Sequence, residues 1–473
     1  MKFFEISYLP KRTIAVVFLI KVAVGTGVWA IYTYYYTGGD IQSYFNDGEK
    51  LYHLLLQQPQ QFFDLITNKT NVSDLAIWNN QYEFVLYNDA RTMSVLNMVV
   101  RFFSFGNFHV HTIFFSFLSL LGFTAIYKTF IEFFSDRKKI FFAAVFLIPT
   151  VLFWSSAALK ESVLFFALGT FLYTTNSGFK TSYNWQKIIS ILIAITLFLL
   201  MKFYVLLALI PGVLVNIWTT KSSNKLLIAK YFLILSTLFV FAFFIGTINE
   251  DYDAFKIISE RQARAMSEAR GGIFLENGQD FVCINFYDNE QLVESKTAGY
   301  YSIKKGAHFM KWHNNNLYDT IFVTNEDDVK TYKQLYTVVP TNAILQLKRL
   351  KPNVLSFIKQ SLSALMNAVF IPFPTNCNNY LQLLSFIESN TLLLLICICV
   401  FFFRTAVNHK ILLFFLLSFS FILLILIGLT TPSIGALIRY KTPAIPFILM
   451  AALLCFDKEK FCSKYPSLEK FID

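Results

Sequence analysis

Apolar runs of about 20 residues, the length that crosses a bilayer as a helix, recur along this chain. In hydrocarbon every backbone N–H and C=O must be satisfied within the protein, so such runs read as helices. They fall at 13–35, 108–133, 140–156, 162–177, 184–201, 203–219, 229–248, 381–403, 410–430 and 437–455. Of 473 residues, 55% are hydrophobic, 54 are Phe and only 15% are charged. Soluble domains carry about 25% charged residues. The fold class expected is an all-α polytopic membrane protein of about ten transmembrane helices with a small α+β extracytoplasmic domain.

The basic start Met1–Arg12 leads into an apolar run too long for a signal-peptide core, so it reads as a retained anchor. Ten spans put both termini on one side. The basic loop residues, from Lys11 and Arg12 through Arg137, Lys138 and Lys139 to Lys458 and Lys460, fall on that side. The positive-inside rule makes it cytoplasmic and accounts for much of the net charge of +11. No arginine-rich arm interleaved with aromatics is present, so nucleic acid is not an expected partner, whereas membrane lipids are.

Lys202 splits an apolar stretch at 188–218. As a hairpin tip it keeps Lys221, Lys225, Lys230, Arg404 and Lys410 inside; a single long span would put them outside. The hairpins tipped by Lys160 and Lys202 have short arms. A helix of about 17 residues covers about 26 Å, less than the ~30 Å core, which recesses both tips below the outer surface.

The expected units are an N-terminal membrane module (1–248), an extracytoplasmic domain (249–353), an amphipathic helix and linker (354–380), a three-helix membrane module (381–455) and a cytoplasmic tail (456–473). The first outer loop, 37–107, opens on Gly38-Gly39-Asp40, with Asp40 placed as a helix N-cap. Spacings of four and seven put Asp40, Tyr44 and Asp47 on one helix face. Two sequons at 68–73 read as chance. The outer domain begins as a charged helix ending at Gly271-Gly272 and continues in β-like runs such as 281–286 and 320–323. Residues 354–370 show amphipathic periodicity, which places that helix along the outer membrane boundary. Cys283 and Cys377 share the outer region, where a disulfide and two free thiols are both open readings. His109 and His111 diverge by about 200° on a helix and read as boundary residues.

Four outward-facing features carry chemistry: Asp40 with Asp47, Lys160 with Glu161, Lys202, and Arg439-Tyr440-Lys441. Charges at membrane depth are expensive and face a protein interior or a wet cavity. Cations neutralise a phosphate leaving group, and a carboxylate takes a proton from an incoming hydroxyl.

Asp40 in the first outer loop, Glu161 at the second hairpin tip and Lys202 at the third form a pattern that resembles the integral-membrane glycosyltransferases of the GT-C fold. These are lipid-phosphate-sugar users related to protein mannosyltransferases and aminoarabinose transferases. Pro149-Thr150-Val151-Leu152-Phe153-Trp154-Ser155-Ser156 with Lys160-Glu161, and Gly435-Ala436-Leu437-Ile438-Arg439-Tyr440-Lys441, resemble motifs of bacterial cell-surface polysaccharide membrane proteins. Both glycosyltransferases and repeat-unit polymerases occur among those. The resemblance covers residues 13–250 and 350–455 and omits the β-like domain. Two departures stand out: Asp40 and Asp47 are not an adjacent acidic doublet, and Ala157 or Ala158 stands where many relatives have Gly.

The resemblance implies inverting transfer from a polyprenyl-phosphate-linked sugar to a glycan or lipid acceptor, at the bacterial inner membrane. Asp40, Asp47 and Glu161 become the candidate catalytic residues, with Asp40 the general base. Lys160, Lys202, Arg439 and Lys441 would hold phosphate, and Tyr44, Trp154, Ser155, Ser156 and Tyr440 would line the cavity. Glu161 would orient Lys160 or, with Asp40, hold a divalent metal ion. No nucleotide is expected, and no Gly-rich phosphate loop is present. A polymerase or ligase of lipid-linked oligosaccharides and a transporter of an anionic solute are the alternatives.

Overall fold

A computed structural model of the chain describes residues 2–5, 9–36, 38–67, 89–222, 226–249, 252–277, 280–285, 290–295, 297, 299–304, 307–313, 316–322, 331–341, 343–404 and 409–469. The sequons, Lys225, Phe286 and Val323 lie outside these residues.

Among the described residues, six helices are long and apolar enough to span a membrane: Lys11–Tyr35, Phe108–Phe134, Phe203–Thr220, Leu227–Ile248, Tyr380–Phe401 and Lys410–Thr430. The other four expected spans have a different form. The run at 140–156 is two short helices, Lys138–Phe146 and Pro149–Trp154. Pro149 lacks an N–H and pushes Ile148 into the extended region (ψ 120°), so the helix stops there. Lys160–Lys180 has the length, but Lys160 and Glu161 are buried in its first turn. Trp185–Met201 is shorter and ends where Lys202 leaves helical geometry. The last run is Ile434–Tyr440 and Ala444–Cys455, bent by 55° at a break that ends on Pro443.

The breaks cluster at one end of the membrane part, and the unbroken helices pack around them. Phe108–Phe130 and Lys160–Lys180 cross closely, with a Cβ on Gly122 falling 2.1 Å from Phe165 O and one on Gly169 falling 2.0 Å from Gly122 O. Small residues let helix backbones approach where lipid supplies no hydrophobic drive. Arg137, read from the sequence as a loop cation, is buried and donates to Phe456 O at 2.9 Å, stapling the N-terminal half to the last helix.

Among the described residues, the segment between Ile248 and Val354 holds the helix Ala254–Arg270 and seven strands: β1 Gly272–Asn277, β2 Asp280–Asn285, β3 Leu292–Glu294, β4 Tyr300–Ile303, β5 His308–His313, β6 Asn316–Phe322 and β7 Thr331–Val338. They form one antiparallel sheet in the order β3-β4-β7-β1-β2-β5-β6, larger than the two runs singled out by pattern. Its core is Leu275, Val282, Ile284, Ile303, Ala307, Phe309 and Tyr332. Cys283 is buried in β2, and Cys283 and Cys377 are both free thiols. The Val354–Phe370 helix buries Ala364 against Gly428 of the Lys410–Thr430 helix and leaves Leu355, Ile358 and Leu362 exposed on its other side.

Candidate functional site

Asp40, Glu161, Lys202 and Arg439 meet in one ion-pair cluster. Lys202 Nζ lies 2.9 Å from Glu161 Oε1, and Arg439 Nε lies 2.8 Å from Glu161 Oε2. The second contact is an ion pair without the alignment of a hydrogen bond. Arg439 Nη1 donates to Asp40 Oδ2 at 2.6 Å. One guanidinium therefore bridges two carboxylates, and one of those is shared with an ammonium.

Each member sits at a break in helical structure, which frees its side chain to face the cluster. Asp40 follows Gly38 and Gly39, whose φ values of 150° and 144° L side chains rarely adopt. A Cβ on Gly39 would also fall 2.6 Å from the Tyr32 ring. Asp40 is the first helical residue, not the N-cap expected from pattern: Gly39 holds the cap position, and the carboxylate accepts from Arg439 and does not cap the helix N–H groups. Glu161 leaves the loop after Trp154, Lys202 separates two helices, and Arg439 lies just before the bend of the last pair.

Burial grades across the cluster. Glu161 is fully buried, the Lys202 and Arg439 side chains are 4% and 9% exposed, and the Asp40 side chain is 48% exposed. Burial pushes the Asp40 carboxyl up, but Arg439 and Lys160 beside it, with the Tyr44 hydroxyl, hold it below its ordinary range. It is thus an ionised carboxylate at the mouth of a buried cationic cluster. Arg439 Nη2 is buried with no hydrogen-bond partner among the described residues.

Aromatic rings line the cations. Lys202 Nζ lies 3.6 Å from the Tyr440 ring centre, Arg439 Cζ 5.3 Å from Trp154, and Lys160 Nζ 5.4 Å from Tyr44. Cation–π attraction is worth about 0.5–2 kcal/mol and strengthens as water is excluded. Tyr44, Trp154, Lys160 and Tyr440 therefore gather around the ion pairs.

Other expected site residues do not join. Asp47 pairs with Lys50 on its own helix at 3.6 Å. Lys441 is buried and donates to Ile371 O at 2.7 Å, beside Glu388 rather than Glu161. Ser155 and Ser156 are fully buried and do not line an open cavity. Their loop is saturated: Lys21 Nζ donates to Ser155 Oγ (2.8 Å), Ser155 O (3.1 Å) and Ser156 Oγ (3.1 Å). Ser116 and Ser119 donate to Ser156 O and Ser155 O, each at 2.6 Å. Broken backbone at membrane depth needs such partners.

Lys21 and Glu388 were hidden inside apolar runs. Only their being charged marked them. Glu388 Oε2 accepts from the Thr150 N–H at 2.9 Å and so tethers the Pro149–Trp154 helix. His111, expected at a boundary, is buried, with its ring nitrogens 2.8 Å from Asn97 Oδ1 and Ser104 Oγ.

The residues do not fit a divalent ion. Both Glu161 oxygens face cations and Asp40 Oδ2 is taken by Arg439, so a metal would sit against a guanidinium and an ammonium. No group of three metal-ligating side chains occurs among the described residues. Two cavities, of 290 and 180 Å³, lie elsewhere, along Ile189–Leu197 and around Asp136, Arg137 and Arg404. The cluster is packed, and Asp40 is its exposed member. No protein-family model, curated protein or solved structure matches this chain.

Proposed function

We propose that this chain is an integral-membrane glycosyltransferase of GT-C type, moving a sugar from a polyprenyl-phosphate-linked donor to a glycan or lipid acceptor on the extracytoplasmic side of a bacterial cytoplasmic membrane. In this reading ten membrane segments, some broken or short, place both termini in the cytoplasm. The observation that carries the proposal is the Arg439 guanidinium bridging half-exposed Asp40 and buried Glu161 beside Lys202. A purely structural ion cluster needs no exposed carboxylate at its edge and no spare guanidinium nitrogen. A transferase uses the first as a base and the second as a donor to phosphate.

The acceptor hydroxyl attacks the anomeric carbon, the bond from that carbon to the phosphate oxygen breaks, and Asp40 takes the hydroxyl proton. The leaving phosphate gains negative charge, which Lys160, Lys202 and Arg439 meet in a water-poor setting where such contacts count most. Glu161 positions Lys202 and Arg439 and offsets their mutual repulsion. The low-lying Asp40 carboxyl is ionised at neutral pH and ready to accept a proton, at the cost of being a weak base.

The test is to give purified protein a polyprenyl-phosphate sugar and follow release of the lipid phosphate. Turnover that Asp40→Asn abolishes supports the proposal. Activity confined to preassembled lipid-linked repeats makes the chain a polymerase or ligase, and solute flux without bond cleavage makes it a transporter.

A further inference from the structure

The outer helix Ala254–Arg270 brings a further cation to the rim of the cluster. Arg261 Cζ lies 6.0 Å from the centre of the Tyr204 ring, and Lys202 Nζ lies 5.9 Å from the same ring. Arg261 is exposed and has no ion pair among the described residues. Its position is nevertheless held. The next residue, Gln262, is buried; its Nε2 donates to Leu429 O at 2.7 Å and Lys348 O at 3.2 Å, and its Oε1 accepts from Leu350 N at 2.7 Å. Phe255 on the same helix packs edge-on against Phe239 and Phe357. The helix is therefore tied at two points to the membrane part, and Arg261 is held beside the Tyr204 ring that Lys202 also approaches.

This changes the charge balance. Lys160, Lys202 and Arg439 outnumber Asp40 and Glu161 by one, which suits the single charge of a phosphate diester. Arg261 raises the excess to two, the charge of a diphosphate diester. We infer that Arg261 is a substrate-contacting residue supplied by the outer domain and that the lipid donor is linked through a diphosphate. The phosphate next to the sugar meets Lys202 and Arg439, and the second meets Arg261. On transfer the bond between the anomeric carbon and the first phosphate oxygen breaks, and the lipid leaves as its diphosphate with the electron pair. The inference rests on the transferase reading.

The experiment compares kcat/KM for a polyprenyl-diphosphate sugar and the matching polyprenyl-monophosphate sugar in the full-length protein, wild type, R261A and R261K. The diphosphate is expected to be the better donor. R261A should lower its kcat/KM by about tenfold, chiefly through KM, as a lost charged contact does, and should affect the monophosphate markedly less. R261K should recover most of the loss. A preference for the monophosphate, or an equal loss on both donors in R261A, overturns the inference while leaving the transferase reading intact. Consumption of neither donor overturns both.

Discussion

Two buried lysines divide the membrane part into a region closed on itself and a region that opens to solvent through a carboxylate. Lys21 is 1% exposed and donates only to neutral acceptors, on Ser155 and Ser156, in an enclosure completed by Ser116 and Ser119. Lys202, 4% exposed, lies against Glu161 and the Tyr440 ring, in a cluster that reaches solvent through Asp40. The first arrangement satisfies the Ser155 and Ser156 acceptors from side chains that are themselves buried. The second has an exposed carboxylate and an unpartnered guanidinium nitrogen. Burial alone therefore does not mark a functional lysine; the charges around it and their access to solvent do. The two regions are also coupled, since the loop Lys21 clamps carries Lys160 and Glu161 into place.

The largest expected effect separates chemistry from scaffold. Asp40→Asn should reduce turnover by about 10²–10⁴, the usual range for removing a general base, with little change in melting temperature because the side chain is half exposed. A large drop in melting temperature would move Asp40 to the scaffold side of the comparison. Arg439→Met should also stop turnover and, by leaving Glu161 buried beside one cation, cost about 3–5 kcal/mol in an unfolding titration. An unchanged unfolding midpoint would mean the ion cluster is not packed as described.

Lys21→Met tests the other region. It strands acceptors on Ser155 and Ser156 at a cost of about 1–3 kcal/mol, while turnover per folded molecule should fall far less than in Asp40→Asn. Equal losses of turnover at unaltered stability would place Lys21 in the site. The smallest effect is that of pH. The Asp40 carboxyl is held low in the folded protein, so its contribution to stability is complete above the unfolded value and is lost only as pH falls through the lower folded one. Its protonation should thus contribute nothing to turnover or melting between about pH 5 and 8, the range over which an unperturbed or lowered carboxyl stays ionised. A limb near neutral pH that Asp40→Asn removes would contradict this.

Much of the architecture was legible as local pattern. Apolar runs of bilayer length marked six helices that are long and continuous, and the polar residues Lys160 and Lys202 marked where two more begin or end, whereas the breaks before Pro149 and after Tyr440 fall inside runs read as single spans. The helix break at Lys202 follows from a charge inside an apolar run, and the helix starting at Asp40 from periodicity over one or two turns. Where the reading went astray, the deciding partner was remote. Asp47 shares a helix face with Asp40, yet its pair is Lys50, because only the start of that helix reaches Arg439. Lys441 is two residues from Arg439, yet it faces Ile371 O. Ser155 and Ser156 looked like cavity hydroxyls because the lysine that saturates them lies 134 and 135 positions away in an apolar run.

The sequence by itself determined that the chain is a membrane protein, where its long apolar runs lie, and which charged residues would have to be hidden from lipid. These are consequences of hydration: an apolar run of bilayer length or a lysine within it has the same preference whatever surrounds it. Only the tertiary structure decided the pairings. Asp40 and Arg439 are 399 residues apart, and their contact depends on how four helix breaks stack at one depth. The same holds for Arg261, an ordinary surface cation by sequence until Gln262 ties its helix to the end of the Lys410–Thr430 helix and sets it over Tyr204. Electrostatic energy falls with distance and grows as water is excluded, and neither quantity exists until the chain has packed.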